Sequence, residues 1–132
     1  GTNEQFEKLV KIAPSNVTIE PPTLKFRQIL MSAKASVSMV GYNTALDVLQ
    51  AGVPAVLIPF DSGGEIEQSL RANVLKTLPA IEVIQQKSLN GANLVDKVKA
   101  VILAGRRHPR TKGMDGAETT VQITHYLRTK TI

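Results

Sequence analysis

Two short stretches of the chain hold residue types at spacings suited to binding a phosphorylated ligand. The first is Gly41-Tyr42-Asn43-Thr44, with Asp47 one helical turn further on. A glycine lets the backbone come close to a ligand. The first amides of a helix have no partner inside it. Those amides and the helix dipole together favour a phosphate. A carboxylate at Asp47 could then accept both hydroxyls of a ribose, each hydrogen bond to the charged group being worth about 1.5 to 3 kcal/mol. The same residues also fit a capping box over Thr44-Ala45-Leu46-Asp47, in which threonine and acid satisfy each other's backbone amides. Spacing leaves both readings open.

The second stretch runs from Phe60 to Gln68. Gly63 and Gly64 release a loop, and Glu67-Gln68 fall in the first turn of a helix. An acid beside an amide offers acceptors and donors together, as sugar hydroxyls require. Ser62-Gly63-Gly64-Glu65 is again a candidate capping box. His108 and His125 lack companions at metal-ligand spacing, which argues against zinc. Asp115 reads as a helix cap. The chain contains neither GxGxxG nor a P-loop, so the dinucleotide and P-loop readings lack their usual support. Ser36 and Ser38 fall in a strand expected to be buried, with no His–Asp arrangement to recruit them.

These junctions need a scaffold of alternating strands and helices, and the hydrophobic pattern supplies one. Gln5 to Ala13 reads as an amphipathic helix, with Phe6, Leu9, Val10 and Ala13 on one stripe. Val17 to Ile19 reads as a short strand, and Leu24 to Ala33 as a second helix. Ala35 to Val40 is expected to be a strand, and Asn43 to Ala51 a helix that Gly52 ends. Pro54 to Pro59 is continuously apolar, as expected of a strand covered on both faces of a parallel sheet. Helices are expected over Glu65 to Lys76, Asn93 to Leu103 and Ala117 to Leu127, with a weak strand at Ile81 to Ile84. The alternation predicts an α/β, Rossmann-like doubly wound parallel sheet. With three good strands and a weak fourth, against about five in a usual sheet, it reads as truncated at its N-terminus. Residues 1–132 are read as one domain, with a last helix over about 114–130 able to pack outside the core.

Composition narrows the function classes. The chain has 132 residues, 42% hydrophobic and 20% charged, enough for one ordinary core. It lacks cysteine, which excludes a disulfide scaffold or thiolate metal site and suits the cytoplasm. The net charge of +5 allows an anionic partner, and Arg106, Arg107, His108, Arg110 and Lys112 concentrate it in one segment. Aromatic residues make up only 4%, too few to supply the stacking platforms of single-strand binders, so nucleic acid is not expected as a partner. Peripheral contact with a membrane surface stays open.

The run from Gly41 to Phe60 closely resembles the donor-binding lobe of GT-B glycosyltransferases. Its type is the family 28 C-terminal domain of bacterial enzymes that add N-acetylglucosamine to peptidoglycan precursors. The shared pattern is a glycine turn, a short helix with an acid, Ala51-Gly52-Val53-Pro54, an apolar strand ending Pro59-Phe60, a loop, then the pair Glu67-Gln68 with Arg71-Ala72. Asp115-Gly116-Ala117 also resembles that family's tail, so the likeness covers about Val17 to Leu127. It implies that the backbone of Gly41, Tyr42, Asn43 and Thr44 meets a diphosphate and that Asp47 holds the ribose. It further implies Glu67 and Gln68 on the transferred sugar and the Glu20–Leu24 loop near the base. Asp47 stands where that family usually carries glutamate, one methylene longer.

The expected partners are a UDP-sugar and an N-terminal acceptor-binding lobe absent from this sequence, without metal or other cofactor. The resemblance implies hexosyl transfer to a hydroxyl acceptor, with the general base in the absent lobe and the 132 residues inactive alone. The rivals are a sugar-nucleotide 2-epimerase of the same architecture, a non-catalytic nucleotide-binding module, and a nucleic-acid binder using Arg106 to Arg110.

Overall fold

A computed structural model describes residues 3–21, 24–61 and 66–107. Among them the chain forms α1 (Asn3–Ile12), α2 (Phe26–Ser32), β1 (Ser36–Met39), α3 (Tyr42–Ala51), β2 (Ala55–Ile58), α4 (Glu67–Leu75), β3 (Ile81–Val83) and α5 (Gly91–Ala104). A 3-10 turn over Gln86–Ser88 joins β3 to α5. The strands lie in the order β1-β2-β3 and all pair in parallel, with Ser36 opposite Ala55 and Ala55 opposite Ile81.

β2 is the centre of the sheet, and every one of its residues is buried. Successive side chains of a strand point to opposite faces, and the core divides accordingly. Ala55 and Leu57 join Leu30, Val48, Leu49, Ala72 and Leu75 on the face covered by α2, α3 and α4. Val56 and Ile58 join Ile84 and Val101 on the face covered by α5. Helices on both faces are the doubly wound arrangement that the unbroken apolar run predicts. In α3 the buried residues Ala45, Val48 and Leu49 follow the helical period. Gly52 ends that helix at φ 69°, donating its amide to the Val48 carbonyl at 3.1 Å. This left-handed residue is the place where glycine is needed.

Three expectations are corrected. Val17 to Ile19 forms no strand. The Val17 amide donates to the Pro14 carbonyl at 3.0 Å in a turn, and among the described residues no strand pairs with this short segment between prolines. β1 is half-covered rather than buried, because it lies at the edge of the sheet and its Val37 and Met39 face carries no described helix. The capping box over Thr44–Asp47 does not form. The helix starts at Tyr42 with Gly41 as N-cap, so Thr44 already lies inside the first turn. Residues 62–65 and 108–132 lie outside the described residues, and with them Ser62–Glu65, His108, Arg110, Lys112, Asp115, His125 and the expected last helix. No described helix is long and apolar enough to cross a membrane.

Candidate nucleotide-binding rim

β1 and β2 end beside each other, and α3 and α4 begin there. This carboxyl-end rim is where open α/β sheets place ligands. Gly41 is the N-cap of α3, with φ −65° and ψ 158°, and no side chain caps the helix. The first amide given an acceptor is that of Ala45, which donates to the Gly41 carbonyl at 2.9 Å. The amides of Tyr42, Asn43 and Thr44 therefore face outward with the positive end of the helix dipole. A Cβ placed on Gly41 would meet nothing within 4 Å among the described residues. Neither its φ nor its packing demands glycine, so the space above it is left open.

Asp47 lies further along α3 and is held from α2. Arg27 donates to its Oδ1 through Nε at 3.2 Å and Nη2 at 3.0 Å. With side-chain exposures of 55% and 22%, this pair adds about 0 to 1 kcal/mol to stability. Both donors sit on one oxygen, so Oδ2 keeps its acceptor capacity.

The second junction is tied directly to the first. Gln68 Oε1 accepts the Phe60 amide at 2.9 Å and the Val40 amide at 3.2 Å, drawing the ends of β2 and β1 together. That oxygen serves the scaffold and leaves the side-chain NH2 as the group a sugar could use. Arg71, one turn along α4, donates through Nη1 to the Val40 carbonyl at 2.8 Å and through Nη2 to Glu67 Oε2 at 3.5 Å. Arg71 is only 6% exposed, whereas the Glu67 side chain is 60% exposed. Gly41 to Thr44, Glu67 and Gln68 thus gather around Val40. Asp47 joins the rim through α2 instead. Glu20, Pro21 and Leu24 are exposed, and no described hydrogen bond ties them to these residues.

Three contributing residues had no role assigned from the sequence. Arg27 has no spacing signal. Asp61 caps α4 from the loop, its Oδ1 accepting the amides of Gln68 at 3.1 Å and Ser69 at 3.3 Å, and its Oδ2 the Ser69 hydroxyl. Arg71 does have a signal, since it occupies a core-facing position of α4 beside Ala72 and Leu75.

A cavity of about 490 Å³ opens further along the rim, between the end of β3 and α5. Two of its lining residues are bonded to the scaffold: Asn93 Nδ2 donates to the Ser88 carbonyl and Lys97 to Glu82. The start of α3 offers a row of uncapped backbone amides instead. No group of His, Asp or Glu among the described residues could hold a metal.

At the opposite rim, Arg106 and Arg107 are bonded to the scaffold through both terminal nitrogens. Arg106 donates to the carbonyls of Ala33, Leu30 and Ala51. Arg107 donates to those of Pro79, Ala80, Val48 and Val53. Burial, and secondarily the charge of Arg106, push the Arg107 guanidinium down to about 10, so it stays protonated at neutral pH. Of the expected basic patch, Arg106 and Arg107 are thus bonded to backbone carbonyls, several of them at helix ends, while His108, Arg110 and Lys112 lie outside the described residues.

The chain matches the model of the glycosyltransferase family 28 C-terminal domain over residues 2–124. Among curated proteins it is similar to UDP-N-acetylglucosamine--N-acetylmuramyl-(pentapeptide) pyrophosphoryl-undecaprenol N-acetylglucosamine transferases. That of Caldanaerobacter subterraneus is 23% identical over 97% of this chain and 36% of its own length. That of Moorella thermoacetica is 26% identical over 80% and 28%, and that of Levilactobacillus brevis 30% over 62% and 22%. The chain therefore spans about a third or less of these relatives. No solved structure matches. With the sheet, the helix order and the Gly41–Ala72 pattern all in agreement, the chain belongs to the glycosyltransferase family 28 C-terminal domains.

Proposed function

We propose that this domain binds the nucleotide-diphosphate sugar, a UDP-hexose, for transfer of the hexose to a hydroxyl acceptor by a larger protein. The observation that carries the reading is the start of α3, a helix end with no side-chain cap and open space above Gly41. The amides of Tyr42, Asn43 and Thr44 meet the diphosphate there. As the bond to the sugar breaks, negative charge builds on the leaving diphosphate. Fixed amide dipoles offset it without reorganising, and no metal is required of the described residues. Asp47 accepts ribose hydroxyls through Oδ2 while Arg27 holds Oδ1. Glu67 and the Gln68 NH2 face the hexose. The relatives named above use a UDP-linked sugar by their names, which supports the choice of donor. Acceptor recognition and the general base belong to a lobe outside this sequence, so the 132 residues alone do not turn over donor.

The test is calorimetry with UDP on the full-length protein and on Asp47→Ala. Loss of hydrogen bonds to a charged group predicts affinity lower by ten- to a hundredfold. Stability should change by under about 1 kcal/mol, because the Arg27 pair is half-exposed. Equal affinities would remove Asp47 from the site.

A further inference from the structure

Arg71 is the one charged residue among the buried side chains described. Removing a guanidinium from water is costly, and a hydrophobic residue of similar volume would serve the core as well or better. Its placement has to be explained by what it touches. Nη1 binds the carbonyl of Val40, the residue before the N-cap of α3. Nη2 reaches Glu67 at 3.5 Å, a long contact with a carboxylate that is mostly solvated. Nε is buried with no hydrogen-bond partner among the described residues. The guanidinium charge is therefore only partly compensated where it lies.

Val40 is held on both sides by α4. Its amide donates to Gln68 Oε1, and its carbonyl accepts from Arg71 Nη1. The peptide linking Val40 to Gly41 begins the turn that presents the amides of α3. Fixing its carbonyl fixes the plane of that peptide and the entry angle of the helix. The same guanidinium steers Glu67, the acid assigned to the hexose.

We infer that Arg71 is a positioning residue of the donor site, holding the Val40–Gly41 peptide so that the amides of α3 meet a diphosphate. It adds a fixed positive charge behind them. This rests on the donor-binding reading of α3. Gln68 fixes the same residue from its other side, so losing Arg71 loosens one end of the clamp while the strands stay paired through β1 and β2.

The experiment is titration of the full-length protein with UDP and with uridine, comparing the wild type with Arg71→Gln and following thermal melting in parallel. The expected result is UDP binding at least tenfold weaker in the variant, uridine affinity within about twofold, and a cooperative melt. A role confined to core packing would weaken both ligands alike. Parallel losses, or an unchanged UDP-to-uridine ratio, overturn the role of Arg71 and leave the donor site standing. Wild-type protein that binds no UDP overturns the donor reading itself. Should Arg71→Gln not fold, Arg71→Lys carries the same ratio. Its single ammonium cannot span Val40 and Glu67 together, and a ratio equal to that of the wild type overturns the inference.

Discussion

Arginines stand at both rims of the sheet, and they are used in opposite ways. Where the strands begin, Arg106 and Arg107 direct their donors onto backbone carbonyls at the ends of α2 and α3 and at the entry to β3. The Val48 and Ala80 carbonyls also accept the amides of Gly52 and Ala55, and cations suit the negative end of a helix. Ala80, one of the residues so bound, has φ 60°, an uncommon state for a residue with a Cβ that persists when its surroundings hold it there. Where the strands end, Arg71 makes one close bond and leaves Nε without a partner among the described residues, and the amides of α3 have no side-chain cap. Among the described residues, the arginines of one rim are spent on the scaffold, and the other rim keeps uncapped amides beside a partly paired guanidinium.

Removing an arginine from the closed rim should break this contrast most visibly. Arg107→Met strips its donors from the Val48, Val53, Pro79 and Ala80 carbonyls. We expect a loss of about 2 to 3 kcal/mol in urea unfolding, with UDP affinity of the folded fraction unchanged. A large affinity change with intact stability would mean that the rims are not functionally separate.

Gly41→Ala inverts that outcome. The added Cβ meets no described atom and the backbone angles suit alanine. Glycine is the better N-cap, but alanine restricts the unfolded chain, so the two effects nearly cancel and stability moves by about 0.5 kcal/mol or less. The methyl group occupies the space assigned to the diphosphate, and UDP should bind about tenfold more weakly. Unaltered binding would move the ligand away from α3.

The difference between the rims also marks how far the sequence could be read. The central strand, the helix ended by Gly52 and the alternation of elements were legible, because each is set by neighbours within a few residues. So was the gathering of Gly41–Thr44 with Glu67 and Gln68, through the order of strand, turn and helix. The half-open face of β1 was not, since Ala35 to Val40 reads the same whether or not a layer covers it. Arg106 was read as part of a basic patch because its acceptor Ala33 lies 73 residues away. No local spacing encodes that bond. Thr44 with Asp47 has the spacing of a capping box, but the helix starts three residues earlier at its Gly41 cap, and Asp47 pairs with Arg27.

Asp61 lies between these cases, a local contact with an unusual span. It caps α4 from a position outside the helix that no capping-box pattern covers. Asp61→Ala should cost about 1 kcal/mol by thermal melting, the usual value of a lost cap. Because the Gln68 amide is one of those Asp61 holds, UDP-hexose should weaken more than UDP does. An equal effect on the two ligands would separate Gln68 from the hexose.

The smallest effect is expected at Arg27, and it tests the finest distinction on the open rim. An exposed pair such as Arg27–Asp47 contributes a few tenths of a kcal/mol, so Arg27→Gln should melt nearly as the wild type does. If Arg27 orients Asp47 toward ribose, UDP affinity falls by about two- to threefold, and 2′-deoxy-UDP, lacking one of the hydroxyls Asp47 would accept, shows a smaller drop. If Arg27 competes with the ribose for the carboxylate, its removal strengthens UDP binding instead. Both donors converge on Oδ1 and leave Oδ2 available, which favours orientation over competition and makes weaker binding the expected outcome.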